Sequence, residues 1–342
     1  MSPRARRLVP LCMALACTGE PAGSEPTTYD SDPQLIAEDQ LCHHMLYDGV
    51  GRMRYCRTRS IYEDAPGIER AIVLIHGSGL DSRNYYDSTM TEAAKVGFDL
   101  DTLDVIAPQF FEAIPEYPNA DEPERGWDNY YDWPGGWRYG DQASSHLQSS
   151  YAVIDHVIEE LVAHRPDLQL IVIAGQSAGG QFVDRYAAGT DVAHPGVALR
   201  FWAANPGSYL WHDSTRPNEP ECAEYDDYPY GYVERNIYMS HVADATLRDN
   251  ILGRDVYWTV GENDTEPNGA CRTHAQGAYR QDRWANHRIH IDALCRALEE
   301  AGAGPGVDCE GHDGRHIEIA GCGHGHACSW RSDVGHTILF GP

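Results

Sequence analysis

Residues 168–188 read LQLIVIAGQSAGGQFVDRYAA. Leu168–Ala174 is a near-continuous apolar, β-branched run, the composition of a strand buried on both faces of a sheet. The segment QFVDRYAA that closes the stretch is helical in pattern. Between the two stands Gly175-Gln176-Ser177-Ala178-Gly179, with Gly180 behind it. When a strand turns this sharply into a helix, the residues two positions before and after the turning residue must be small, and both are glycine here. The turning residue, Ser177, is then held in a strained conformation with its hydroxyl projecting above the sheet. It also sits at a helix N-terminus, whose dipole favours developing negative charge. Ser177 is therefore the candidate nucleophile. The competing reading is a Gly/Ser-rich β–α turn without chemistry.

Outward from this stretch the same pattern repeats. Ala71–His76, Leu103–Ala107, Ala198–Ala204, Val256–Val260 and Ile317–Ala320 are further strand candidates. His43–Asp48 and Arg52–Ile61 read as an antiparallel hairpin leading into the sheet. Residues 144–164 carry Leu147, Tyr151, Ile154, Val157 and Leu161 at helical spacing and stop before Pro166. A second helix is expected over Ala278–Ala301. Strands alternating with helices predict an α/β fold with a mostly parallel central sheet. Residues 108–142 and 205–250 interrupt the pattern with Pro, Gly and aromatic residues and read as long irregular insertions, expected to serve as lids or binding loops.

A serine hydroxyl needs a base, and the base an acid to orient it. After the strand VYWTV comes Gly261-Glu262-Asn263-Asp264-Thr265, in which Asp264 is the favoured acid and Glu262 the second choice. After the last strand comes Gly321-Cys322-Gly323-His324-Gly325-His326-Ala327-Cys328, in which His324 is favoured over His326 as base. A tetrahedral oxyanion needs two backbone N–H donors. Ala178 supplies one. The loop His76-Gly77-Ser78-Gly79, after an early strand, supplies the other from Ser78 or Gly79.

Over about residues 65–342 the chain resembles the α/β-hydrolase superfamily. Within it, the chain is similar to a microbial subgroup of esterase/lipase-like serine hydrolases. The shared features are GQSAGGQFVDRYA, Asn205-Pro206-Gly207-Ser208-Tyr209-Leu210, GENDT, Gln276-Gly277 with Arg280 and Arg283, and GCGH followed by Leu339-Phe340. The resemblance implies acyl transfer by Ser177, His324 and Asp264 without a cofactor. This chain departs from the pattern in the Cys322/Cys328 pair and in a second histidine beside the base.

The N-terminus reads as a targeting segment. Arg4, Arg6 and Arg7 precede the short apolar run Leu8–Ala16, so residues 1–16 are expected to be a signal peptide. Ala14-Leu15-Ala16-Cys17 resembles a lipobox; a lipid on Cys17 is the only membrane attachment expected, and an ordinary cleaved signal is the alternative. Residues 17–40 read as a Pro/Glu/Ser/Asp-rich tether and 41–342 as the catalytic domain. Of ten cysteines, eight follow Cys17, an even number that suits disulfides in an oxidising compartment, whether periplasmic, outer-membrane or extracellular. Local geometry suggests Cys42–Cys56 across the hairpin, Cys295–Cys309 at a helix end, Cys322–Cys328 across a tight loop, and Cys222–Cys271 as the remaining pair. The formal net charge is −26 and Lys95 is the only lysine, a balance that repels nucleic acid and anionic membrane.

Trp127, Trp133, Trp137, Tyr130, Tyr131 and Tyr139, beside Asp128, Asp132 and Asp141, suit stacking and hydroxyl recognition, or else a lid core packed on itself. Trp133, Trp137 and Tyr209 are the substrate-binding candidates. Cys322-x-His324-x-His326-x-Cys328 offers four metal ligands, but its spacing fits a disulfide better than a zinc site, and no metal is expected. The expected substrate is a small or polymeric carboxylic ester. A serine peptidase or amidase, or an acyltransferase, would use the same residues. Outside catalysis, the competing reading is a surface binding lipoprotein.

Overall fold

The computed structural model describes residues 42–47, 51–111, 133, 136–144, 147–267, 270–302 and 314–342. Eight strands form one sheet: β1 (Cys42–Tyr47), β2 (Gly51–Arg57), β3 (Arg70–Ile75), β4 (Leu103–Pro108), β5 (Leu170–Gln176), β6 (Ala198–Ala204), β7 (Asp255–Gly261) and β8 (His316–Ile319), in the order β1-β2-β4-β3-β5-β6-β7-β8. The β1–β2 and β2–β4 pairs are antiparallel and all others are parallel. The described helices are α1 (Ser82–Lys95), α2 (Ser150–His164), α3 (Ala178–Gly189), α4 (Ile237–Ser240), α5 (Asp244–Gly253), α6 (Cys271–Gln276), α7 (Arg280–Glu300), α8 (His326–Arg331) and α9 (Asp333–Phe340).

The apolar strands are explained by burial on both faces. Successive side chains of a strand point to opposite sides. Val73, Ile75, Ile171, Ile173 and Phe201 enter one core with Val153, Ile154 and Val157 of α2 and Phe182 of α3. Their neighbours Ile72, Leu74, Val172, Ala174 and Trp202 enter the other, against Tyr85 and Tyr86 of α1, Trp330 of α8 and Ile338 and Leu339 of α9. A parallel strand therefore has no polar face to show.

Several boundaries differ from the sequence reading. β5 begins at Leu170, because the Leu168 N–H turns back to the Arg165 carbonyl. The helix expected over 144–164 starts at Ser150, where the Ser149 hydroxyl caps it by accepting from the Tyr151 N–H. Residues 205–250 are not wholly irregular, since α4 and most of α5 lie within them. Of the first insertion, residues 112–132 and 134–135 lie outside the described residues, with Trp127, Asp128, Tyr130, Tyr131 and Asp132 among them. So do the leader 1–16, Cys17 and the tether. The disulfides Cys42–Cys56, Cys222–Cys271 and Cys322–Cys328 are present. Cys295 is also disulfide-bonded, while Cys309 falls outside the described residues.

Beside β7 and β8 lies a core of buried histidines. His212 follows β6, His287 and His290 are on α7, and His316 opens β8. His290 Nε2 accepts the His212 N–H at 3.0 Å, and His287 Nδ1 lies 3.0 Å from His316 Nε2. Tyr209, Trp211 and Trp258 stack on His287, His290 and His316 with centroids 4.2, 4.3 and 4.6 Å apart. Burial holds the pKa of His212 and His287 well below the ordinary value. Burial also lowers His290 to about 4, with Asp213 opposing and Arg216 assisting.

Folded-state pKa values below the unfolded ones mean that the unfolded chain takes up protons first as pH falls. Stability is then full above the unfolded histidine pKa of about 6.5 and declines below it, by up to ~1.4 kcal/mol per pH unit for each such histidine. Buried carboxyls with raised pKa, such as Asp155 and Asp184, act in the opposite sense nearer the carboxylate range. The expected outcome is a urea midpoint that falls between pH 7 and 5.5; a flat or rising midpoint would show that these histidines are not neutral in the folded state.

Candidate active site

The site begins where β5 ends. Ser177 stands alone between Gln176, the last residue of β5, and Ala178, the first of α3, at φ 59° and ψ −111°. A non-glycine residue at positive φ is strained and persists only where its surroundings fix it. Here the Ser177 N–H donates to the Ala204 carbonyl at 2.9 Å, and the Ser177 carbonyl accepts the Gln181 N–H at 3.0 Å. The two flanking glycines are required by space. A Cβ on Gly175 would lie 2.3 Å from the Gly179 carbonyl oxygen, and one on Gly179 would lie 2.1 Å from that of Ile75.

Two distant loops meet this serine. The loop after β7 carries Asp264 and the loop after β8 carries His324. His324 Nδ1 lies 2.7 Å from Asp264 Oδ2, and His324 Nε2 lies 2.9 Å from Ser177 Oγ. A carboxylate only accepts, so the ring proton is on Nδ1 and Nε2 presents its lone pair to the serine hydroxyl. Burial raises the Asp264 pKa, but hydrogen bonds and charge from His324 and Arg280 outweigh it and hold the carboxyl below the ordinary range. Glu262 does not reach the histidine. Its carboxylate accepts the Gly321 N–H at 2.7 Å and ties the two loops together. His326 instead stacks on Tyr85, with centroids 4.1 Å apart, and lies 3.2 Å from Ser88 Oγ.

The candidate oxyanion donors flank Ser177. Ala178 opens α3, where first-turn N–H groups have no intrahelical acceptor. Ser78 lies in the exposed turn closed by the Leu80 N–H on the Gly77 carbonyl at 3.1 Å. A Cβ on Gly77 would lie 3.7 Å from the Cβ of Ser177, so this loop packs against the serine. Buried His76 braces it. The Phe110 N–H donates to His76 Nε2 at 2.9 Å, so Nδ1 carries the proton and donates to the Gly77 carbonyl at 2.8 Å. Burial lowers the His76 pKa to about 4, which keeps the ring neutral in this role. The Tyr85 hydroxyl accepts the Gly77 N–H at 3.0 Å.

The three aromatic candidates sit elsewhere than expected. Trp133, Trp137 and Tyr209 have no exposed surface. Trp137 stacks on Phe110 at 5.3 Å and packs on His76 at 4.8 Å, Trp133 meets Phe110 edge-on, and Tyr209 stacks on His287. They pack in the apolar core, because large rings gain more from full burial than from a solvated face.

The sequence reading missed the residues that hold the loops in place. Asn205, at the left-handed φ of 44°, accepts the Gly261 N–H on Oδ1 at 2.6 Å and donates from Nδ2 to Gln176 Oε1 at 3.2 Å and Ser329 Oγ at 3.3 Å. Gln176 in turn donates to the His324 carbonyl at 2.5 Å. An amide directly after a strand that runs parallel to the serine strand was the available signal.

No protein-family model and no curated protein matches the chain by sequence. Among solved structures, the poly(3-hydroxybutyrate) depolymerase LpqC from Bordetella parapertussis superposes with a TM-score of 0.58 at 18% identity, covering 88% of this chain and 89% of that one. Poly(aspartic acid) hydrolase-1 from Sphingomonas sp. KT-1 gives 0.56 at 18% identity, covering 84% and 94%. The fold is that of the α/β-hydrolases. Within the α/β-hydrolase fold, Ser177 occupies the turn after β5, and the Asp264 and His324 loops follow β7 and β8.

Removing the Asn205 side chain strands the Gly261 N–H and the Gln176 acceptor and leaves a non-glycine residue at left-handed φ. Asn205→Ala is expected to lower stability by about 2–4 kcal/mol in chemical denaturation. A loss below ~0.5 kcal/mol would show that water replaces these bonds without cost.

Proposed function

We propose that the chain is an exported serine hydrolase that cleaves a carboxylic ester through an acyl-enzyme. The observation that carries this reading is the unbroken line from Ser177 Oγ through His324 to Asp264, at 2.9 and 2.7 Å. His324 Nε2 takes the hydroxyl proton as Ser177 attacks the carbonyl, and Asp264 stabilises the resulting imidazolium and fixes its tautomer. The Ala178 amide and one from the Ser78 turn receive the oxyanion. The imidazolium then returns its proton to the departing alcohol, and water activated by the same histidine releases the acid. The intact line of three side chains speaks against a binding protein that has lost its chemistry. An amide substrate or an acyl acceptor other than water would use the same groups. Two of the structural neighbours are named for polymers, one a polyester and one a polyamide, which adds weight to a polymeric or oligomeric substrate.

The reading is tested by labelling the purified protein with a fluorophosphonate, wild type beside Ser177→Ala, and by p-nitrophenyl ester hydrolysis. Labelling is expected in the wild type alone. Ser177→Ala and His324→Ala are expected to lower kcat by about four to six orders of magnitude. A folded wild type that neither labels nor turns over would overturn the hydrolase reading.

Export is supported by the disulfides, which persist in oxidising compartments. Cys222–Cys271 closes a sequence separation of 49 residues. On loop-closure entropy, replacing both cysteines by alanine is expected to cost about 4 kcal/mol in urea unfolding. Unchanged stability after full reduction would remove this support.

A further inference from the structure

Behind Asp264 the hydrogen-bonded line continues. Arg280, the first residue of α7, donates from Nη1 to Asp264 Oδ1 at 3.0 Å and to Glu266 Oε2 at 2.9 Å. Asp264 is fully buried, Arg280 mostly so, and Glu266 stands in solvent with its side chain 70% exposed. Arg280 Nε is buried without a hydrogen-bond partner among the described residues. A single nitrogen therefore bridges the two carboxylates. We propose that Arg280 and Glu266 are positioning residues that set the charge Asp264 presents to His324, and so the pH at which the base becomes free. This rests on the reading of Ser177, His324 and Asp264 as the catalytic groups.

The electrostatic argument has a definite sign. Asp264 favours the imidazolium form of His324, and the Arg280 guanidinium offsets part of that negative charge. Glu266 offsets part of the guanidinium in turn. The Arg280 hydrogen bond holds the Glu266 carboxyl below its ordinary range, as expected of a group inside one charge string rather than a free surface acid. Without Arg280, the imidazolium is held to higher pH. Without Glu266, it is released at lower pH. Two neighbours on one string thus act in opposite directions, whereas general loosening of the loop would not move the two limbs apart.

Other charged and titratable groups around the string complete its field. Tyr209 and Arg283 act on Asp264 from the core side, and Glu262 is held on the Gly321 amide. On the far flank of the base loop, His326 faces Asp81 and Arg331. None of these is hydrogen-bonded to the Asp264 carboxylate, whose hydrogen-bond partners among the described residues are His324 and Arg280.

The test is the pH profile of kcat/KM for p-nitrophenyl butyrate hydrolysis by wild type, Arg280→Gln, Arg280→Lys and Glu266→Gln, with Ser177→Ala as control. Arg280→Gln is expected to move the acid limb up and Glu266→Gln to move it down, each by on the order of half a pH unit. Arg280→Lys is expected to return the limb toward wild type, because it keeps the charge. kcat is expected to fall in Arg280→Gln with KM little changed. Limbs that coincide in all variants, or that move the same way in Arg280→Gln and Glu266→Gln, overturn the inference while the Ser177 reading stands. Activity that survives Ser177→Ala overturns the reading itself. Should Arg280→Gln fail to fold, the exposed Glu266→Gln carries the decision alone.

Discussion

A helix that begins one residue after a strand ends is pressed against the carbonyl ends of the neighbouring strands, and the rest of this structure is arranged around that contact. Gly179 lies over the Ile75 carbonyl and Gly175 over that of Gly179, distances that only backbone can occupy. The contact fixes α3 to β3 and β5 together. It leaves Ser177 at a backbone conformation that costs energy in isolation, so the cost has to be met by the sheet. Two-sided burial of β3, β5 and β6 supplies it: strands with no polar face cannot shift register without exposing a whole set of apolar side chains. The strain at one residue and the apolar character of three strands are therefore one fact.

From that point the geometry is carried by polar side chains between strand ends. Parallel strands deliver their following loops to the same edge of a sheet, which brings the loops after β3, β5, β7 and β8 close together. Proximity alone would leave them several ångströms adrift, and a misplacement of 1 Å in a reacting group is costly. Gln176 and Asn205, at the ends of adjacent strands, join the serine turn, the Gly261 backbone and the His324 carbonyl. Glu262 adds a second tie between the Asp264 and His324 loops. Each of these bonds ends on backbone or on another amide, so they locate the loops without competing for the His324 ring.

This division explains what the sequence made legible. Ser177 was readable because its strain is met within five residues by glycines and by a strand and a helix on either side. Asp264 and His324 were readable as positions after strands. Asn205, Gln176 and Arg280 were not assigned as supports, because their partners lie 14 to 148 positions away in the chain, and a polar residue at the end of a strand or the start of a helix does not announce a distant partner in one dimension. The aromatic residues misled for the opposite reason. Trp133, Trp137 and Tyr209 lie in Pro- and Gly-rich stretches that read as lids or binding loops, yet all three are buried in the core. Composition reports that a segment is irregular, not whether it lies over the core or within it. The helices α4 and α5 inside the second insertion were hidden by the same inference.

The His324 loop shows how a mobile kind of element is made to hold a fixed atom. Loops are ordinarily the variable part of an enzyme fold, and this one is rich in glycine, which adds freedom. Cys322–Cys328 closes it covalently around His324. Gly261 packs its α-carbon against the Cys322 and Gly323 carbonyls, leaving no space for a Cβ, and the Asn263 N–H donates to the Cys322 carbonyl at 2.7 Å. Gly261 thus serves the close approach of the two backbones, while a Cβ on the loop's own Gly321, Gly323 or Gly325 would meet nothing closer than 3.9 Å. The bridge removes the freedom that such glycines would otherwise restore. His326 is drawn away to stack on Tyr85 of α1, the same tyrosine whose hydroxyl holds Gly77. One residue of α1 therefore connects the His324 loop to the turn that carries Ser78, so the two sides of the candidate site are tied directly to each other as well as through Gln176 and His76 at the sheet ends.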